Sequence, residues 1–180
     1  QNNDLVYAQA YGLADVENAV PLTTSTRFRT ASVAKPMTAA VIMSLVERGK
    51  CDLDADVKTY CQAFPTKQWP VTTRQSLGHL GGVRHYKDPE EPSSTRHFYS
   101  LTAALSTFAV DPLIHEPGTK YLYSSFGYNL LGSIAESAGK QAFMSLLHEL
   151  YSLATSVLDA IQPPQPEQPK HDYSRAIKLL

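Results

Sequence analysis

Phe28-Arg29-Thr30-Ala31-Ser32-Val33-Ala34-Lys35-Pro36-Met37-Thr38 is the stretch that decides how this chain folds. From Val33 onward, apolar residues recur at Met37, Ala40, Val41 and Leu45, the three- and four-residue spacing of one buried helical face. Pro36 is tolerated in a first helical turn, where backbone N–H groups lack intrahelical partners, so the helix starts at or near Ser32. Gly49, just after Arg48, supplies the stop. The spacing thus predicts a helix with a serine at its start. Lys35 follows almost one turn on, projecting on the same side as Ser32.

Outward from that helix the pattern alternates between helical and turn signals. Residues 5–11 place their tyrosines on one side of a two-residue repeat and read as a strand, and Arg27-Phe28-Arg29 reads as a short second one. Thr72 or Thr73 is placed to cap a short helix through Leu80, closed by Gly81-Gly82. Residues 86–96 form a polar loop, 98–110 a helix, and Pro117-Gly118 a tight turn. Residues 126–138 are helical, with Leu130, Leu131 and Ile134 on one face and Gly139 as the stop, and 141–158 form another helix. With many helices and two strands, the expected class is α+β. At Ile161 the composition changes to Gln-Pro-Pro-Gln-Pro-Glu-Gln-Pro, an extended polyproline-like run. The expected organisation is a domain over 1–160 followed by a Pro/Gln-rich tail over 161–180 with a short C-terminal segment.

Composition narrows the function classes. The 180 residues are 43% hydrophobic and 18% charged, which suits one globular domain and not a disordered chain. A net charge of −1 without a basic stripe argues against nucleic acid or an anionic membrane as partner. No apolar run approaches the roughly 20 residues of a membrane span. The opening Gln1-Asn2-Asn3-Asp4 reads as a mature or trimmed N-terminus, with no signal or transit segment expected. Cys51 and Cys61 are expected as free thiols, although a disulfide between them would close only a short loop. The six histidines show no zinc-ligand spacing, so neither a metal nor a cofactor is expected.

The residues that carry chemistry are Ser32, Lys35 and Tyr123. A serine hydroxyl is a weak nucleophile at neutral pH and needs a base within hydrogen-bond reach. Lys35 would serve if burial or neighbouring cations disfavoured its ammonium. Alternatively it stays charged and lowers the pKa of a nearby tyrosine, which then takes the proton. A helix start adds unpaired N–H groups and the positive end of the dipole, both suited to charge developing on an attacked carbonyl. The Ser-x-x-Lys spacing alone is unspecific, because Ser137-Ala138-Gly139-Lys140 matches it as well. That copy lies at a helix end, where Lys140 simply suits the C-terminal dipole. Taken singly, Ser32 also reads as an N-cap and Tyr123 as turn or core packing.

Five segments, in order, resemble the serine β-lactamase and penicillin-binding-protein superfamily, in particular its class C-like branch with bacterial and mitochondrial members. They are Tyr7–Asp15, Phe28–Thr38, Gly49–Asp54, Thr73–Tyr86 with Gly-His-Leu-Gly-Gly-Val-Arg-His-Tyr, and Glu116–Gly132 with Pro-Gly-Thr-Lys-Tyr-Leu-Tyr-Ser-Ser-Phe-Gly-Tyr-Asn. They fall within residues 5–150 and separate Ser32 from Ser137. The resemblance implies an α+β fold, a helical region with a partial antiparallel sheet that lacks its C-terminal strands, and a serine acyl hydrolase acting on an amide, ester or β-lactam, with Ser32 as acylated nucleophile. Lys35 would be its proton acceptor or electrostatic partner, Tyr123 the general base and Ser125 a substrate-binding position. The partner implied is a small-molecule or peptide acyl substrate. The compartment implied is the bacterial periplasm or outside, with the mitochondrion as alternative.

Three departures shape those expectations. Ser125 stands where the family usually has asparagine, so a shorter hydroxyl replaces an amide that would hold a substrate carbonyl or the lysine. Gly81 replaces a usual serine, with only a backbone effect expected. The resemblance also implies a helix and strand before Leu5 and C-terminal strands bearing Lys/His-Thr-Gly, which the sequence does not show. One oxyanion-hole N–H would come from such a strand, and losing one donor costs about 10²–10³ in rate in serine enzymes. Low turnover, self-association through an exposed sheet edge, and a non-catalytic scaffold or interaction role as the alternative function follow from that expectation.

Overall fold

The computed structural model describes residues 5–161. The chain divides between Ala31 and Ser32 into a short N-terminal unit and a larger helical unit. The remainder of the expected tail, from 162 on, lies outside the described residues, and Ile161 is the last residue of the final helix.

In the N-terminal unit, β1 (Leu13–Asp15) pairs antiparallel with β2 (Val20–Pro21), with Leu13 opposite Pro21 and Asp15 opposite Val20. Asp15 organises the connection by accepting from the Asn18 backbone N–H at 3.1 Å and from its side-chain amide at 2.6 Å. Ala19 adopts a left-handed φ of 51° to close the turn. The strands expected over 5–11 and 27–29 do not form. An extended segment becomes a strand only when its N–H and C=O groups find a neighbouring chain, and neither segment has a ladder partner among the described residues. Leu5, Val6 and Tyr7 lie exposed instead.

The helical unit is built on α1 (Ala34–Glu47) and α5 (Ser125–Gly139), which pack together. A 3₁₀ turn over Ala31–Val33 precedes α1, so Ser32 stands at the helix entrance as the proline placement predicts. The face that turns inward carries Thr38, Val41, Ile42 and Leu45. Around α5 pack α2 (Thr73–Leu77), α4 (Leu101–Ala104) and α6 (Phe143–Ile161). Leu130, Leu131 and Ile134 of α5 are wholly buried, each contributing about 1.5–3 kcal/mol relative to exposure. Phe108 stacks on Phe126 with ring centroids 4.6 Å apart, continuing the core toward the start of α5. Cys51 and Cys61 are free and buried in this core, where desolvation pushes both thiols up. No described helix is long and apolar enough to cross a membrane.

Several helix bounds differ from expectation, each for an identifiable reason. The Thr72 side chain and Gln75 close a capping box on α2, but Gly78 ends it before Gly81-Gly82 is reached. In α5 the left-handed residue is Lys140, at φ 55°, while Gly139 stays helical; a Cβ there would lie 2.7 Å from Leu146 of α6. Within the expected polar loop, Asp88 accepts from the N–H groups of Glu90 and Glu91 and starts a one-turn α3 (Glu90–Ser93).

The helix expected over 98–110 is reduced to α4 and a 3₁₀ turn over Leu105–Thr107 because Arg84 captures the Thr107 carbonyl at 3.0 Å. Arg84 is 6% exposed and uses all five of its N–H donors. They reach Glu91 twice at 2.9 Å, Asp111 at 2.5 Å, the His85 carbonyl at 2.9 Å and that Thr107 carbonyl. One buried guanidinium thereby ties three separate points of the chain, Glu91, Thr107 and Asp111, to the segment that carries it.

That segment, 79–85, lies against residues 114–124. The His79, Leu80 and Gly82 carbonyls accept from the N–H groups of Leu122, Gly118 and Ile114 at 2.8–2.9 Å. Gly82 has φ +69°, and a Cβ on it would overlap the His115 carbonyl, a backbone atom that cannot rotate away. Gly82→Ala is expected to destabilise the protein by about 2–3 kcal/mol through overpacking at a left-handed site. Gly78→Ala, where a Cβ meets nothing nearer than 3.6 Å, is the control. Urea-unfolding midpoints of the two variants check this.

Candidate active site

Two elements carry the candidate side chains, and both are helix entrances. Ser32 and Lys35 flank the start of α1, and Tyr123 and Ser125 flank the start of α5. Ser124 caps α5 by accepting the Gly127 N–H at 2.9 Å, which turns the Tyr123 side chain off the helix.

The structure brings together all four residues singled out in the sequence. Ser32 Oγ and the Tyr123 hydroxyl are 2.6 Å apart. Lys35 Nζ donates to Ser32 Oγ at 3.2 Å and to Ser125 Oγ at 3.1 Å. The same Nζ lies 4.8 Å from the Tyr123 ring centroid and 5.8 Å from that of Tyr128, a setting that suits a cation. Tyr128 is itself fixed by donating to the Leu77 carbonyl at 3.0 Å. The hydroxyl of Ser125, short as it is, reaches the lysine. Ser137 is exposed at the far end of α5, and Lys140 is the C-cap there.

The electrostatics separate the two tyrosines. Lys35 foremost, and the Ser32 hydroxyl after it, hold the Tyr123 phenol below the ordinary tyrosine value by favouring its oxyanion. Burial pushes Tyr128 the other way. No carboxylate hydrogen-bonds to Lys35 among the described contacts, so its charge is directed at hydroxyl and phenol oxygens.

Residues that the sequence did not single out complete the arrangement. His79 Nδ1 accepts the Ser124 N–H at 3.1 Å, and His85 Nδ1 accepts the Ser125 N–H at 3.2 Å. Ser124 Oγ donates to the Arg84 carbonyl at 2.7 Å. The one sequence signal for them is their place in Gly-His-Leu-Gly-Gly-Val-Arg-His-Tyr, and nothing in that pattern reveals backbone acceptors. Among the described residues no three His, Cys, Asp or Glu side chains gather to hold a metal ion. A separate cleft of about 670 Å³ lies beside α6. Its Glu149 is already engaged by Arg48 and Gln141.

A beta-lactamase family model matches residues 1–171. The chain belongs to the beta-lactamase family. Within the serine β-lactamase and penicillin-binding-protein superfamily, this beta-lactamase-family chain is 27% identical over 239 aligned residues to the human mitochondrial serine beta-lactamase-like protein LACTB. The alignment covers 95% of this chain and 43% of that protein. Among solved structures, the penicillin-binding protein of Bacillus halodurans is similar at 31% identity and TM-score 0.64, over 77% of this chain and 42% of that one. EstCE1, described as a hydrolase with promiscuous acyltransferase activity, is similar at 25% identity and TM-score 0.66, over 83% and 43%. The chain thus spans less than half the length of each of these relatives. The fold is the partial α+β arrangement expected, a helical region with a two-stranded antiparallel sheet.

The phenol offers a direct check on the site's electrostatics. The ultraviolet pH-difference titration of wild type against Tyr123→Phe isolates this one phenol. Its midpoint is expected below the ordinary value of about 10. Lys35→Met is expected to move it upward, since the cation that favours the phenolate is gone.

Proposed function

We propose that this beta-lactamase-family chain performs serine acyl transfer to water, with Ser32 as nucleophile, Tyr123 as general base and Lys35 as the cation that tunes the tyrosine. The observation that carries this reading is the 2.6 Å contact between Ser32 Oγ and the Tyr123 hydroxyl, with Lys35 Nζ donating to the same Oγ. In the proposed reaction Ser32 Oγ attacks the carbonyl carbon of an ester, amide or β-lactam while its proton passes to the Tyr123 oxygen. The entrance of α1 stabilises the negative charge on the carbonyl oxygen. Tyr123 then returns the proton to the departing alcohol or amine. In the second half a water attacks the acyl carbon, Tyr123 removes its proton, and Ser32 leaves with a proton restored.

The lowered phenol pKa supports Tyr123 in this role, because a base must be deprotonated for part of the time at working pH. Lys35 engages two hydroxyls and two aromatic faces, which supports an electrostatic part for it over a proton-accepting one. Ser125 serves in this reading as the second anchor of Lys35 and as a hydroxyl facing the substrate.

Intact-protein mass after incubation with a fluorescent penicillin or p-nitrophenyl acetate tests the proposal. A single acyl adduct is expected on the wild type and none on Ser32→Ala. Tyr123→Phe is expected to slow adduct formation by about 10²–10³-fold, the usual cost of a lost general base. An adduct that persists in Ser32→Ala, or no adduct at all, overturns it.

A further inference from the structure

The Tyr123–Ser125 turn is held by two imidazoles whose chemistry the mechanism above does not use. A backbone N–H only donates, so a ring nitrogen facing one must be an acceptor. His79 Nδ1 faces the Ser124 N–H at 3.1 Å and His85 Nδ1 faces the Ser125 N–H at 3.2 Å. Both rings are therefore fixed with an unprotonated Nδ1.

We propose that His79 and His85 are a pair of positioning residues that hold Tyr123 against Ser32 by presenting neutral, unprotonated Nδ1 atoms to successive amides of this turn, so that protonation of either imidazole releases the base. The proposal rests on the acyl-transfer reading of the site.

Geometry supports it from several sides. His79 grips the turn twice, since its carbonyl also accepts the Leu122 N–H at 2.9 Å. It does so from a left-handed φ of 58°, a conformation that is uncommon outside glycine and has to be held by its surroundings. Its ring lies 4.6 Å from the Tyr123 ring, while His85 meets that ring edge-on at 5.3 Å. Tyr123 is thus bracketed by the same imidazoles that hold its backbone. His85 is located in turn by Arg84, which donates to its carbonyl at 2.9 Å.

The groups facing the pair disfavour charge on it. Around His79 stand Lys35 from α1, His85, and the rings of Tyr121, Tyr123 and Tyr128. Around His85 stand Lys35, Tyr86, Tyr123 and, from α3, Glu91, the one group that favours protonation. Burial first and the Lys35 ammonium second hold both imidazoles below their ordinary range. The folded state therefore binds fewer protons than the unfolded chain. The stabilisation is present above the ordinary imidazole value of about 6.5 and is lost as pH falls through the lower folded-state values.

The test combines spectroscopy and kinetics on the full chain. With ¹⁵N-labelled imidazoles at neutral pH, both rings are expected as the Nε2–H tautomer. On acidification, the Ser124 and Ser125 amide resonances are expected to move with the same midpoints as the rings. In the acylation rate with p-nitrophenyl acetate, His79→Phe is expected to lose about 10²-fold, as for a misplaced catalytic group, with KM little changed. His79→Asn, whose carbonyl oxygen replaces Nδ1 as a non-titrating acceptor, is expected to recover most of that rate, and with His85→Asn added the fall in rate through the imidazole range is expected to vanish. Nδ1–H tautomers, amides indifferent to the ring titration, or a fall through the imidazole range that survives in the double variant would each overturn the clamp. If the wild type forms no acyl adduct, the acyl-transfer reading fails, and the tautomers and amide shifts still decide whether the turn is held this way. If the adduct forms and the tautomers are wrong, only the clamp fails.

Discussion

The buried hydroxyl of Ser124 is the interaction on which the rest depends. It accepts from Gly127 and so starts α5, and it donates to the Arg84 carbonyl and so fastens α5 to the segment 79–85. Its own N–H goes to His79. Every polar atom of this residue named here is spent inside the protein, which is why Ser124 tolerates 4% exposure. The residues on either side of it, Tyr123 and Ser125, face Ser32 and Lys35. Capping, tertiary docking and site geometry are three consequences of one side chain.

Arg84 provides the counterpart on the other side of that contact. A guanidinium with five fixed donors can hold two carboxylates and two carbonyls at once, which a lysine cannot. Lys87, donating to Asp111 at 2.9 Å, balances the second carboxylate. Because the charges are satisfied around Arg84, the field at the site comes chiefly from Lys35. That ammonium lowers the Tyr123 phenol, while burial first and the same ammonium second hold the two imidazoles below their ordinary range.

What was legible in the sequence follows from which forces are local. The helix entered at Ser32 and the helix after Ser124 are readable because periodicity, capping residues and stop signals all lie within the segment. Ser32, Lys35, Tyr123 and Ser125 were readable from the order of the motifs around them, and the structure gathers them. The strands expected over 5–11 and 27–29 do not form because alternation states a preference, whereas a strand requires a neighbour. The helix expected over 98–110 is shorter in the structure, where Arg84 takes the Thr107 carbonyl and no nearby residue announces its approach. His79 and His85 leave no mark in the sequence for a related reason. They act on main-chain amides, which every residue has, so no partner side chain marks them in the sequence.

The contacts of this site also span long stretches of chain. Ser32 and Tyr123 are 91 positions apart, and Lys35 and Ser125 are 90. Contacts of that separation wait on closure of a large loop and form only when the intervening helices have largely assembled. During synthesis, a chain that has exposed α1 but not yet residue 125 carries an ordinary serine and an ordinary lysine. The four side chains therefore meet only in a finished fold, and a nascent or misfolded chain lacks the cluster altogether.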